Sequence, residues 1–98
     1  MEVIKDLIGF EWDAHNKDKN FIKHRVTDEE CEEVFFDERK KMLNDVPHLV
    51  SEKRYIVIGQ TKALRTLFVV FTLRHKKIRV ISVRNLNKKE QTLYEEKN

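Results

Sequence analysis

The chain has one cysteine, one proline and no long hydrophobic segment, and these scarcities exclude whole classes of protein. Cys31 cannot form an internal disulfide, and no Cys/His spacing typical of a zinc site occurs. No apolar run approaches the ~20 residues that a membrane-spanning helix needs. The first residues lack the basic segment that precedes the apolar part of a signal peptide. We therefore expect a soluble, cytoplasmic protein that has no cofactor, no metal and no membrane partner.

Acidic residues are missing from most of the second half of the chain. Between Lys53 and Lys89 there are eleven Lys or Arg residues and no Asp or Glu, whereas residues 1–52 carry eight basic and fourteen acidic side chains. Such an asymmetry produces a local positive potential that attracts polyanions, although the formal net charge is only +3. An anionic partner is favoured over the alternative, in which the basic and acidic halves simply pair with each other.

Two N-terminal helices are predicted after a first strand. The strand covers Leu7–Trp12, and Asp13 is a good N-cap for a helix that runs to about His24. Thr27 and Glu30 form a capping box at the start of the second helix. The apolar face of that helix comprises Cys31, Val34 and Phe35.

The second half of the chain predicts strands and a short helix. An irregular connection, with an edge strand at Lys41–Leu43, leads to an antiparallel meander. The meander strands are predicted at Lys53–Gly59, Leu67–Arg74 and Ile78–Arg84, with a three-residue turn, His75–Lys77, before the last one. Asn87 and Glu90 form a capping box for a C-terminal helix. The prediction is one α+β domain, residues 1–98, in which two N-terminal helices pack on a small antiparallel sheet made of the meander and the N-terminal strand.

Arg79 and Arg84 lie within the last predicted strand and are the strongest candidates for an anion site. Guanidinium groups bind phosphate in a bidentate manner, and a strand fixes their position. In a regular strand these two residues point to opposite faces, so that one of them is structural unless a bulge or the strand end reorients Arg84.

Other candidate residues each have a structural alternative. Glu52 and Arg54 point to the same side of a strand and form either a general base with a phosphate clamp or a surface ion pair worth ~0–1 kcal/mol. His24 is either a proton-transfer group or a favourable charge at the end of the first helix.

The reaction that such residues suit is RNA cleavage without a metal. Attack of the 2′-OH on the neighbouring phosphorus needs a base, a proton for the departing 5′-oxygen and cations for the charge on the phosphorane. The sequence has no Asp/Glu cluster typical of a two-metal nuclease. Composition and residue pattern alone predict only an anion-binding α+β domain.

Several collinear motifs resemble the BrnT toxin family. They are FEWD at Phe10–Asp13, Lys17, Asn20, KHRV at Lys23–Val26, FFD at Phe35–Asp37, EKRYIVIG at Glu52–Gly59, LFVVFT at Leu67–Thr72, RVISVR at Arg79–Arg84 and ExxxY at Glu90–Tyr94. The resemblance covers about residues 8–96, and the combination of motifs makes it specific. It implies a RelE-like fold and a type II toxin whose ribonuclease activity inhibits translation. It also implies a BrnA-type ribbon-helix-helix antitoxin, whose complex with the toxin binds operator DNA.

The resemblance further implies which residues act on RNA. The expected catalytic residues are His24, Glu52, Arg79 and Arg84. The expected RNA-binding residues are Lys23 and Arg54, to which we add Lys77 from the basic segment. In this interpretation Arg79 and Arg84 stabilise phosphate and transition-state charge, while Glu52 or His24 moves the proton.

Two positions depart from the family pattern. Arg25 stands where the family usually has glycine after Lys-His, and a non-glycine residue in the left-handed conformation costs roughly 1 kcal/mol. Asn85 stands where the family has a second arginine after the final strand, which removes one cation. The alternatives to a nuclease are a module that binds RNA or a protein without cleavage, and a degenerate toxin that only sequesters antitoxin.

Overall fold

A computed structural model describes residues 9–12, 25–43 and 53–96 of the 98-residue chain. The elements in these ranges are, in chain order, β1 (Phe10–Glu11), α1 (Asp28–Phe35), β2 (Lys41–Leu43), β3 (Tyr55–Gln60), β4 (Thr66–Arg74), β5 (Lys77–Asn85) and α2 (Lys88–Glu95). The α+β class is confirmed. The predicted first helix, Asp13 to about His24, lies outside the described residues. Within the described ranges, neither helix has the length and apolar character needed to cross a bilayer.

The strands form one five-stranded sheet in the order β1-β5-β4-β3-β2. The pairs from β2 to β5 are antiparallel, which confirms the meander and the edge strand at Lys41–Leu43. However, β1 runs parallel to β5, with Phe10 opposite Ile78 and Glu11 opposite Arg79. The sheet is therefore mixed, and the prediction of an antiparallel sheet is wrong at β1. A long connection allows the chain to return in either direction, and local side-chain patterns do not distinguish the two.

Helix α1 begins and packs as its sequence predicts. Glu30 N donates to Thr27 Oγ1 at 3.1 Å, and Thr27 N donates to Glu30 Oε1 at 2.9 Å, which completes the capping box. Phe35 contacts Phe71 of β4 edge to face, with ring centroids 5.0 Å apart. The buried residues between α1 and this face of the sheet include Cys31, Val34, Phe35, Val57, Val69, Phe71, Val80 and Val83. The hydrophobic core therefore lies between α1 and one face of the sheet.

The turn between β4 and β5 is shorter than predicted. Arg74 pairs with Lys77, so only two residues connect the strands, and Lys77 belongs to β5. These two residues, His75 and Lys76, have φ angles of 54° and 61°. Positive φ at both positions is the geometry of a type I′ hairpin. The sequence lacks the Asn-Gly signal of such a turn, which explains the error.

Helix α2 also begins at its predicted capping box. Glu90 N donates to Asn87 Oδ1 at 2.9 Å, and Asn87 N donates to Glu90 Oε1 at 3.0 Å. At the other end of the helix, the Tyr94 hydroxyl donates to Asp37 Oδ2 at 2.6 Å. The same carboxylate oxygen accepts from the N–H of Gln60 in β3 at 2.8 Å. Asp37 therefore links α2 to the end of β3.

Replacement of Arg25 by glycine is expected to raise the free energy of unfolding by about 1 kcal/mol. Arg25 has a φ of 56°, in the left-handed region, and its side chain is exposed. Its carbonyl accepts from Arg65 Nη1 at 2.7 Å, and a glycine retains that carbonyl. Urea denaturation of wild type, Arg25→Gly and Arg39→Gly would test this. Arg39 is exposed and lies outside the residues with positive φ, so its replacement should give no gain. Equal stabilisation by both variants would contradict the explanation.

Candidate nucleic-acid interface

The last strand contains a β-bulge. Ser82 pairs with Val70, but Val80 pairs with Phe71, so that Ile81 is an extra residue in β5. An extra residue shifts the alternation of side chains between the two faces of a sheet. Residues that flank the bulge and would point to opposite faces of a regular strand therefore share a face.

The bulge places Arg79 and Arg84 on one face of the sheet. Arg79 lies opposite Thr72, and Arg84 lies opposite Phe68. Because Thr72 and Phe68 are four residues apart in β4, they point to the same face, away from the core residue Phe71. The bulge therefore decides that Arg79 and Arg84 share a face, a point that the sequence left open. The strand rise puts the Cα atoms of the two arginines about 14 Å apart.

The guanidinium group of Arg84 is held in place by α2. Nη1 and Nη2 donate to Oε1 and Oε2 of Glu90, each at 2.7 Å. The group also lies over the ring of Phe68, 3.9 Å from its centroid. The hydrogen bonds with Arg84 hold the pKa of Glu90 below its usual value, and those with Glu90 raise the pKa of Arg84. Among the described residues, the Arg84 Nε–H has no acceptor, which leaves this donor for an oxygen of a ligand.

Two further predicted cations, Lys77 and Arg54, lie at the Arg79 end of the sheet. Lys77 precedes Arg79 by two residues on the same side of the bulge, so both point to one face. Arg54 directly precedes β3, next to Lys53, whose carbonyl accepts from Thr72 Oγ1 at 2.7 Å. Arg54 therefore lies at the end of β3 that is next to Thr72, the β4 partner of Arg79. We call the face that carries Arg54, Lys77, Arg79 and Arg84 the cationic face.

Three of the predicted site residues are not among those that the structure describes. Lys23, His24 and Glu52 lie outside the described residues. The described side chains of the cationic face include the hydroxyl of Ser82 besides the four cations. No group of three or more His, Cys, Asp or Glu in the described ranges is arranged to hold a metal ion. Chemically, the described part of this face can bind phosphate and neutralise its charge.

Arg65 is a cation that sequence reasoning missed. Its Nε donates to Asn85 Oδ1 at 2.9 Å, its Nη1 donates to the Arg25 carbonyl at 2.7 Å, and its Nη1 lies 3.6 Å from a carboxylate oxygen of Glu30. Both positions that depart from the family pattern, Arg25 and Asn85, therefore contact the same guanidinium group. Local spacing gives no signal for these contacts, because the partners lie 40 and 20 residues away in sequence.

A family model that matches most of the chain defines it as a toxin of a type II toxin–antitoxin system. The family model described as "Ribonuclease toxin, BrnT, of type II toxin-antitoxin system" matches residues 12–90. The chain belongs to the BrnT family, as its motifs predict, and its partners are an antitoxin and RNA.

Comparison of structures agrees with this assignment at the level of the fold. The chain is similar to the crystal structure of the Brucella abortus ribonuclease toxin, BrnT, with a TM-score of 0.59 and 21% sequence identity. The match covers 83% of this chain and 99% of that chain. No curated protein matches the sequence.

Proposed function

We propose that this BrnT family protein is a metal-independent endoribonuclease that inhibits translation by cutting RNA. The observation that supports the proposal most directly is the β-bulge, which brings Arg84 onto the face that carries Arg79 and Lys77. Fixed guanidinium groups in an array stabilise the charge that develops on a phosphorane, with little reorganisation during the reaction.

The proposed reaction divides the work among the predicted residues. The substrate's 2′-oxygen forms a bond to the adjacent phosphorus and loses its proton to Glu52 or His24, while the bond from phosphorus to the 5′-oxygen breaks and the leaving 5′-oxygen takes up a proton from water. Arg79 and Arg84 stabilise the phosphorane, and Glu90 orients Arg84. The remaining predicted cations, Lys23, Arg54 and Lys77, hold the RNA backbone.

The proposal extends to the setting in which the toxin acts. We propose a single RelE-like domain over residues 1–98 that works in the cytoplasm. Its antitoxin is proposed to be a ribbon-helix-helix protein of the BrnA type, and operator DNA is bound only through the complex of the two proteins. Membership of the BrnT family supports these points.

The decisive experiment is incubation of antitoxin-free protein with a labelled RNA in the presence of EDTA. Cleavage is expected, with a 2′,3′-cyclic phosphate on one product and a 5′-hydroxyl on the other, because the 2′-oxygen is the nucleophile. The same oligonucleotide with 2′-O-methyl groups should remain intact, since it lacks that nucleophile. Cleavage only after Mg²⁺ is restored would contradict metal independence.

A non-catalytic RNA-binding role is the second candidate. The observation that favours it is the bidentate pairing of Arg84 with Glu90, which uses two of the hydrogen-bonding nitrogens of that guanidinium group within the protein. In this case the EDTA experiment would show RNA binding that weakens steeply with salt, and no cleavage products.

A further inference from the structure

A groove of about 600 Å³ lies between α1 and the connection from β3 to β4. Its α1 residues lie on the side of the sheet opposite the cationic face, and its other residues lie at the end of the sheet where β3 connects to β4. Two of its lining residues, Phe36 and Leu64, are 77% and 74% exposed. They are the only exposed large hydrophobic side chains among the residues that the structure describes. Single exposed apolar residues are ordinary, but the meeting of two at one groove marks an interaction surface.

The backbone of Leu64 is held in a conformation that its side chain disfavours. Its φ is 69°, in the left-handed region, within a turn closed by a hydrogen bond from Leu64 N to the Thr61 carbonyl at 2.9 Å. Glycine would adopt this conformation without strain. An exposed leucine at such a position stabilises the monomer neither by burial nor by backbone preference. Its apolar surface is available for a partner instead.

The groove is acidic, although the protein as a whole carries a formal net charge of +3. Its charged lining residues are Glu29, Glu32, Glu33 and Asp37, with Lys62 as the one cation. In the described part of the chain, the hydrogen-bond donors to these carboxylates are neutral groups. The Trp12 indole donates to Glu32, and the main-chain N–H of Lys62 donates to Glu33. Asp37 accepts from the main-chain N–H groups of Arg39 and Gln60 and from the Tyr94 hydroxyl. Neutral donors leave the negative charge in place, so the groove repels RNA and attracts a basic partner.

We propose that this groove docks the antitoxin, through a segment in which basic side chains flank a large apolar residue. The apolar residue packs between Phe36 and Leu64, and the basic side chains pair with the carboxylates of the lining. The inference rests on the proposed function as a toxin, whose partner is an antitoxin. Because the lining of the groove contains none of the predicted site residues, antitoxin docking and RNA cleavage are separable by mutation.

Two groove variants and one control test this surface. Phe36→Ala combined with Leu64→Gly removes the apolar anchors, and the glycine also relieves the strain at residue 64. Glu29→Lys reverses an exposed charge in the groove, and Glu38→Lys makes the same change at an exposed residue outside its lining. We expect each groove variant to weaken binding of the purified antitoxin by about tenfold or more, measured by calorimetry at several salt concentrations. The Glu38→Lys variant should bind as wild type does. All variants should cleave RNA as wild type does, and none should melt below it, although relief of the positive φ at residue 64 should raise the melting temperature of the double variant.

Three results would overturn the proposal. The first is wild-type antitoxin affinity in both groove variants. The second is loss of RNA cleavage with antitoxin binding retained, which would assign the groove to RNA. The third is self-association of the wild type that the groove variants abolish, which would assign it to a second copy of the chain. If the wild type cleaves no RNA, the nuclease proposal fails, while the antitoxin affinities still decide the role of the groove.

Discussion

Replacement of Arg79 by alanine is expected to lower the rate of RNA cleavage by roughly 10²–10³-fold, the effect of removing one pre-positioned group that stabilises transition-state charge. Arg79 lies in β5 between two neighbouring strands, opposite Glu11 and Thr72, so its position is fixed by the sheet. Single-turnover cleavage of a labelled RNA measures the change directly. Expression of the variant should also no longer arrest cell growth if arrest depends on cleavage.

A conservative variant separates the role of Arg79 in the reaction from its role in the fold, since Arg79 also has contacts within the protein. Arg79→Lys keeps the charge but loses the bidentate geometry, so an intermediate rate is expected. Arg39→Ala removes an exposed arginine from the turn after α1 and should leave the rate unchanged. Thermal unfolding of each variant identifies any loss of fold. Growth arrest by well-folded Arg79→Ala at the wild-type level would count against the catalytic assignment.

Replacement of Gly59 by alanine is expected to lower the free energy of unfolding by about 2–3 kcal/mol and the melting temperature by roughly 10–15 °C. A Cβ atom at this position of β3 would lie 2.8 Å from Val34 Cγ1, 3.0 Å from the Val34 carbonyl oxygen and 3.3 Å from Asp37 Oδ2. The first distance requires a shift of the Val34 side chain, and the second requires the Val34 carbonyl, and with it α1, to move by a few tenths of an ångström. Urea or thermal denaturation measures the loss.

The double variant Gly59→Ala with Val34→Ala tests whether the clash with Val34 causes this loss. Removal of the Val34 methyl groups relieves the side-chain contact but leaves the carbonyl contact, so the two changes together should cost less than the sum of their separate costs. Ser82→Ala, at an exposed residue of β5, serves as a control and should change stability by less than about 0.5 kcal/mol. Strict additivity of the double variant would contradict the steric explanation.

The elements that the sequence predicted correctly are those that depend on interactions between residues close together in the chain. Both capping boxes join residues three apart, Thr27 with Glu30 and Asn87 with Glu90. The buried face of α1 follows from helical periodicity, and the positions of the meander strands follow from their apolar segments and the turns between them. The family assignment also came from the motifs of the sequence, and the family model confirms it.

The candidate site could be predicted only as a set of residues. The sequence named Arg54, Lys77, Arg79 and Arg84, but it left open whether the two arginines of β5 share a face. Their individual roles, and those of Lys23, His24 and Glu52, stay predictions. Arg65 went unnoticed because its contacts with Arg25 and Asn85 join distant parts of the chain.

The sequence by itself determined the starts of α1 and α2, the order of the described strands along the chain, the basic second half and the family of this protein. Only the tertiary structure decided the parallel direction of β1, the face on which Arg84 lies, the pairing of Arg84 with Glu90, and the meeting of Phe36 with Leu64 at an acidic groove. The physical reason is that each of these features depends on strand pairing or packing between elements. One extra residue in β5 reverses the face of every side chain beyond it, and local propensity does not specify where that residue falls.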